Sequence, residues 1–129
     1  MEEFVLDASA LLATLQDEPG AAAIDARLNR ACISTVNLAE VVTKLTERGT
    51  PSHIVSEIIE ELELDIRDFE REHAERAGLL RPATRALGLS LGDRACLALA
   101  EALGRTAITT DRIWSKLDLG IAIEVIRQA

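Results

Sequence analysis

The chain of 129 residues has almost no aromatic side chains: two phenylalanines, one tryptophan and no tyrosine. Phe4, Phe69 and Trp114 stand far apart in sequence. A base-stacking platform needs several exposed rings, so the composition argues against one. Cysteine is equally scarce. Cys32 and Cys96 lie in apolar surroundings, and neither belongs to a Cys-x-x-Cys pair. They read as buried reduced thiols rather than as a disulfide. His53 and His73 are isolated on polar stretches, which speaks against a catalytic role for either. No apolar run approaches the roughly 18 residues of a membrane span. The opening Met-Glu-Glu-Phe lacks the basic stretch that starts a signal peptide. A cytoplasmic protein without membrane attachment is the expectation.

Positive charge is also in short supply. Net charge is −8, the wrong sign for attracting nucleic acid over the whole surface. It leaves nucleic acid open as a substrate, because local patches and a bound metal can invert the field. The 14 basic residues are nearly all arginine, the better fork for phosphate.

What the chain does have is apolar bulk, 48% hydrophobic, supplied almost wholly by Ala, Leu, Ile and Val. At this length residues 1–129 make one domain with a real core. The runs Phe4 to Leu6, Ala31 to Ile33, Leu64 to Ile66, Thr106 to Thr109 and Ile121 to Ile126 are short and mainly apolar, with Leu64-Asp65-Ile66 alternating. They read as strands, and Phe4 to Leu6, fully apolar, as one buried on both faces. Between them run helical stretches: Ala8 to Leu15, Ala21 to Leu28, Val36 to Arg48, Ile54 to Leu62, Phe69 to Leu80 continuing to Leu87, Ser90 to Leu103, and a short turn from Asp111 to Trp114. Strong stops at Asp17-Glu18-Pro19-Gly20 and Gly49-Thr50-Pro51-Ser52 punctuate them. Strands alternating with helices predict an α/β fold with a mainly parallel sheet.

Four isolated acids stand out against this frame: Asp7, Glu40, Asp93 and Asp111. Asp7 and Asp111 follow strands. Glu40 and Asp93 lie near the starts of helices on the same sheet edge. Parallel sheets place ligands at the carboxyl ends of their strands. Gathered there, four carboxylates make a hard-oxygen cage suited to a divalent cation. Each acid also has an innocent reading. Asp7 and Asp111 could be helix N-caps. Ser90 and Asp93 fit a capping box. Glu40 stands four residues before Lys44, the favoured order for a surface ion pair. Ser9 and Thr109 flank the acids and could bond a carboxylate or a metal-bound water. Arg94 and Arg112 follow Asp93 and Asp111 and are candidates for phosphate contact at the rim.

The segments around these acids resemble the PIN domain, most closely its VapC-type ribonuclease toxins. FVLDASALLATLQDEPG is similar to that family's first strand and helix, with Asp7 and Ser9 in Asp-x-Ser. STVNLAEVVTKL places Glu40, LSLGDRACLALAEALG places Asp93, and AITTDRIW places Thr109 and Asp111. The resemblance implies a PIN-like α/β/α sandwich and a Mg2+- or Mn2+-dependent endoribonuclease. It makes Asp7, Glu40, Asp93 and Asp111 the catalytic metal ligands and RNA the substrate. It also implies a homodimer, in keeping with the apolar surplus, and a cognate antitoxin, for which the acidic pocket predicts a basic tail. Ser52 to Leu87 carries no motif of the family. Two other readings compete. A phospho-acceptor signalling domain also gathers acids around Mg2+, but it needs adjacent acids after the first strand and a lysine after the last. A catalytically dead binding module would not need four intact acids.

Overall fold

The computed structural model describes residues 1–126. The chain begins with strand β1, Phe4–Leu6, and helix α1, Ala8–Leu15. Helix α2, Ala21–Asp25, leads through a 3-10 turn at Leu28–Arg30 into β2, Ala31–Ser34. Two helices follow, α3 at Thr35–Glu47 and α4 at Ser52–Leu62, and then β3, Asp65–Arg67. Helices α5, Arg71–Leu79, and α6, Arg81–Thr84, run through a 3-10 turn at Arg85–Leu87 to α7, Leu91–Leu103. Strand β4, Thr106–Thr109, a 3-10 turn at Arg112–Lys116 and β5, Ile123–Val125, complete the fold.

The strands form one five-stranded sheet in the order β3-β2-β1-β4-β5, and every pairing is parallel. The expected mainly parallel sheet is thus wholly parallel. Alternation along the strands divides the core in two. Phe4, Leu6, Ala31, Ile33 and Ile108 point to one face and pack with Leu11 of α1, Val41 and Leu45 of α3 and Val55 of α4. Val5, Cys32 and Ala107 point to the other and pack with Cys96, Leu97 and Leu99 of α7, Leu80, Leu89 and Trp114. A sheet buried on both sides needs helices on both sides, and the result is an α/β/α sandwich. Cys32 and Cys96 are free and buried, as their surroundings led one to expect.

The ends of several elements differ from the sequence reading. The helix expected to reach Leu28 ends at Asp25, and Leu28 opens the 3-10 turn. The helix expected from Phe69 begins at Arg71, because Glu70 and His73 cap it reciprocally, with His73 Nδ1 accepting from the Glu70 amide at 3.1 Å. The last strand keeps only Ile123–Val125 of the expected run.

The strand order fixes where a ligand can sit. From β1 the chain winds outward through β2 and β3, then returns to place β4 and β5 on the other side of β1. The crevice at such a reversal opens at the carboxyl ends of the strands. Here it lies between the ends of β1 and β4, where Asp7 and Thr109 stand.

Candidate functional site

Asp7 closes β1 and caps α1. It is buried, at 3% exposure, yet it is a carboxylate. Its environment satisfies it with neutral donors alone. Oδ1 accepts from the Ser9 hydroxyl at 2.7 Å and the Ala10 amide at 2.8 Å. Oδ2 accepts from the Thr109 hydroxyl at 2.5 Å. Each hydroxyl has a single hydrogen, and both are directed at Asp7. The 3.2 Å approach between the Ser9 and Thr109 oxygens is therefore a contact between acceptors while these bonds hold. Those oxygens take backbone donors instead: Ser9 from the Thr110 amide at 3.0 Å and Thr109 from the Asp111 amide at 3.0 Å. The Asp-x-Ser segment and the end of β4 are thus laced into one unit.

Burial pushes the Asp7 carboxyl up to about 6. The bonds from Thr109, Ala10 and Ser9 hold it down, and the charge of Asp93 raises it further. Glu40 is also pushed up, first by burial and then by Asp93, against a lowering bond from Asn37. Asp93 is therefore electrostatically coupled to both Asp7 and Glu40. Glu40 also rests against the first turn of α7, beside Gly92. Cys96, one turn after Asp93 on α7, lies beneath the three acids. Its thiol is pushed up, first by burial and then by the charges of Asp7 and Asp93, with Glu40 adding less.

Asp93 opens α7 within the expected capping box. The Ser90 amide donates to Oδ2 at 2.9 Å, and the Asp93 amide donates to the Ser90 hydroxyl at 3.2 Å. Asp111 is exposed and caps the 3-10 turn, its Oδ1 accepting from the Ile113 amide at 3.0 Å. It joins the cluster through Thr109 rather than by direct contact. The capping readings of Asp7, Asp93 and Asp111 are all realised. They do not compete with a site, since a cap uses one carboxylate oxygen and leaves lone pairs on the other.

The pairing of Glu40 with Lys44 is not formed. Lys44 lies 3.8 Å from Glu47, and Glu40 Oε1 accepts from Asn37 Nδ2 at 2.9 Å. Asn37 also donates to the Gly92 carbonyl at 3.0 Å. Neither Asn37 nor Gly92 stood out in the sequence. The signal was an amide three residues before an acid on the face of α3 that carries Val41 into the core. Arg94 directs Nη1 to the Ala77 carbonyl at 2.9 Å, inside the protein. Arg112 is exposed beside Asp111.

Among the described residues, no three acids, histidines or cysteines stand close enough to close on one ion directly. Among the described residues, Asp7, Glu40, Asp93 and Asp111 accept from amides and hydroxyls, and no arginine, lysine or histidine is bonded to any of the four.

Comparison with known proteins agrees with this fold. Residues 4–119 match the PIN domain family. No curated protein matches the chain. Among solved structures, the chain is similar to the DNA-bound VapBC of Salmonella typhimurium, at 19% identity and a TM-score of 0.75 over 100% of both chains. It is similar to a toxin–antitoxin complex from Klebsiella pneumoniae, at 18% identity and a TM-score of 0.79 over 98% of this chain and 100% of that one. It is similar to VapBC-5 of Mycobacterium tuberculosis, at 21% identity and a TM-score of 0.64 over 98% of this chain and 99% of that one. At these identities the likeness is one of fold.

Proposed function

The chain belongs to the PIN domain family, and from that premise we propose that it is a metal-dependent endoribonuclease, the toxin of a VapC-type toxin–antitoxin pair. One observation carries the reading. Asp7 and Glu40 both feel the charge of Asp93 near the reversal of strand order, and only neutral donors are bonded to the three. Anions gathered without a counter-charge call for a cation.

The donor set fits Mg2+ or Mn2+. Both prefer hard oxygen ligands. Magnesium keeps several waters and takes one or two carboxylates directly. A space bordered by carboxylates that do not themselves close on an ion suits a hydrated cation of that kind. Asp7, Glu40 and Asp93 would hold it, directly or through water. Such a metal supplies charge neutralisation at the phosphoryl oxygens and a water of lowered pKa. The protein does the positioning. Ser9 and Thr109 fix both Asp7 oxygens. Ser90 fixes one oxygen of Asp93. Asp111, held through its amide by Thr109, completes the cluster and orients water. Arg112 stands at the rim for phosphate.

The partners follow from the same reading. The substrate is RNA in the cytoplasm, and the active form is a homodimer. Among the described residues no helix is long and apolar enough to cross a membrane. The cognate antitoxin brings a basic tail, whose arginine can enter a carboxylate pocket as a bidentate fork. The likeness to toxin–antitoxin complexes supports this assignment.

The test is cleavage of a single-stranded RNA with Mg2+ or Mn2+. Asp7→Asn and Asp93→Asn keep the shape of the side chain and remove its charge. Each is expected to stay folded and to lose at least about a hundredfold in rate, the upper range for disturbing even the outer partners of a metal site. Turnover by the wild type in excess EDTA, or full activity of Asp93→Asn, would overturn the proposal.

A further inference from the structure

We propose that Asn37 is a positioning residue: it seats the Glu40 carboxylate on the first turn of α7, so that Glu40 and Asp93 address the same cation. The inference rests on the metal-site reading above and concerns what builds that site.

Asn37 is 1% exposed. Its Nδ2 donates both hydrogens, one to Glu40 Oε1 at 2.9 Å and one to the Gly92 carbonyl at 3.0 Å. A carboxylate and a carbonyl only accept. Turning the amide over would set Oδ1 against two acceptors, so the chemistry of the partners determines its orientation. The bond to Glu40 is local, between neighbours three residues apart on one face of α3. The bond to Gly92 crosses 55 residues of sequence to the opening of α7. One side chain thus ties Glu40 to the residue that precedes Asp93.

Gly92 provides the other half of the device. A Cβ there would run into the Glu40 carboxylate. The carboxylate therefore rests on the bare backbone of α7, where any side chain would displace it. Asn37 draws Glu40 in, and Gly92 makes room for it. A half-buried anion without these two features would swing toward water, away from Asp93.

The residue type matters as much as the distance. A lysine or arginine at position 37 would also hold Glu40, but it would bring a positive charge to the site and repel a metal ion. An amide holds the carboxylate and leaves its charge in place. The other end of that amide, Oδ1, is buried and has no protein donor. Buried acceptors of this kind are usually satisfied by water.

The experiment is a double-mutant cycle read by calorimetric titration with Mn2+ alone, on wild type, Asn37→Ala, Glu40→Gln and the double variant. Asn37→Ala is expected to weaken Mn2+ binding by roughly tenfold or more, as loss of a second-layer partner does. In the Glu40→Gln background the same change is expected to have no further effect, because Asn37 acts through Glu40. An equal loss in both backgrounds would mean that Asn37 only supports the frame, and the inference would fail. Unchanged affinity in Asn37→Ala would also defeat it. Gly92→Ala is a second variant that removes no hydrogen bond. It is expected to weaken Mn2+ in the wild-type background and not in Glu40→Gln. If Asn37→Ala does not fold by circular dichroism, this second cycle decides by the same criterion. A wild type that binds no Mn2+ at millimolar concentration overturns the site reading itself, and the inference with it. A wild type that binds while the cycle shows no coupling overturns the inference alone.

Discussion

The two ends of the sheet treat their acids in opposite ways. At the amino ends of the strands, carboxylates meet cations. Glu3 pairs with Arg105 at 2.6 Å, and Glu101, at the far end of α7 from Asp93, pairs with Arg76 at 2.5 Å. Arg30 reaches the Glu2 carbonyl at 3.2 Å and lies over the Phe4 ring. At the carboxyl ends, Asp7, Glu40, Asp93 and Asp111 receive amides and hydroxyls only. The first arrangement is electrically closed. The second keeps its anions shaped but not neutralised. Among the described residues no arginine or lysine is bonded to these four acids, although Arg94 and Arg112 adjoin two of them in sequence. On the function proposed above, such a place is left for a cation from outside.

The largest consequence is a pH dependence centred on the carboxyl end. Burial pushes the Asp7 carboxyl up to about 6 in the fold, against an ordinary value of about 3.8. The folded chain then holds this proton more tightly than the unfolded chain. Stability contributed by the protonated group is fully present below about 3.8 and is lost as pH rises through about 6. At about 1.4 kcal/mol per pH unit between the two values, Asp7 alone withdraws about 3 kcal/mol. Glu40 shifts in the same direction and adds to the trend. Asp65, lowered by its bond to Arg67, works the other way. Urea unfolding of wild type and Asp7→Asn in EDTA, across pH 4 to 7.5, isolates the site. The wild type should lose stability relative to the variant through that window. Saturating Mg2+ should flatten the difference, since a ligand of the ionised form stabilises the fold. Parallel curves in EDTA would mean that the buried carboxylate carries no such strain.

The legible and illegible parts of the chain divide along similar lines. Local patterns were readable. Short apolar runs gave the strands, Asp-x-Ser gave the lacing of Asp7 with Ser9, and Ser-x-x-Asp gave the capping box of α7. Each depends on neighbours within about one helical turn. What failed was the pairing of Glu40 with Lys44. The rule behind it describes a helix side open to water. Glu40 lies instead on the side of α3 that meets α7, a meeting set by the winding of the sheet. Asn37 was invisible for the same reason, since its second partner, Gly92, is remote in sequence. The placement of Cys96 beneath the acids likewise depends on which face of α7 the sheet covers. Arg94 could be read as a rim residue only until α5 was seen to offer the Ala77 carbonyl.

A middle-sized effect separates the scaffold of the site from its charge. Thr109 is fully buried and nearly isosteric with valine. Its hydroxyl serves the Asp7 carboxylate and the Asp111 amide together. Thr109→Val leaves that amide without its acceptor and Asp7 with one donor fewer. The expected loss is about 1–3 kcal/mol. The Thr109 bond is also what most lowers the Asp7 carboxyl, so its removal drives the group further up. The loss should therefore be greater at pH 7.5, where the charge must be carried, than at pH 4.5, where a proton relieves it. Chemical denaturation at the two pH values checks this. A loss that is the same at both would show that the hydroxyl serves packing alone.

The smallest effect belongs to the amino end and tests whether the contrast holds at all. Glu3 and Arg105 form a close pair, but the Glu3 side chain is 52% exposed. Exposed pairs contribute between nothing and about 1 kcal/mol, and salt screens them. Glu3→Gln should therefore cost less than about 1 kcal/mol, and most of that difference should vanish when salt is raised to roughly 1 M. The pH dependence assigned to Asp7 should survive the same salt, because its main cause is burial rather than a distant charge. Mn2+ binding should not respond to Glu3→Gln, since that acid lies beyond the opposite end of the strands. A fall in Mn2+ affinity comparable to that of Asp7→Asn would mean that the two ends share one field. The carboxyl end would then have no special claim to the cation.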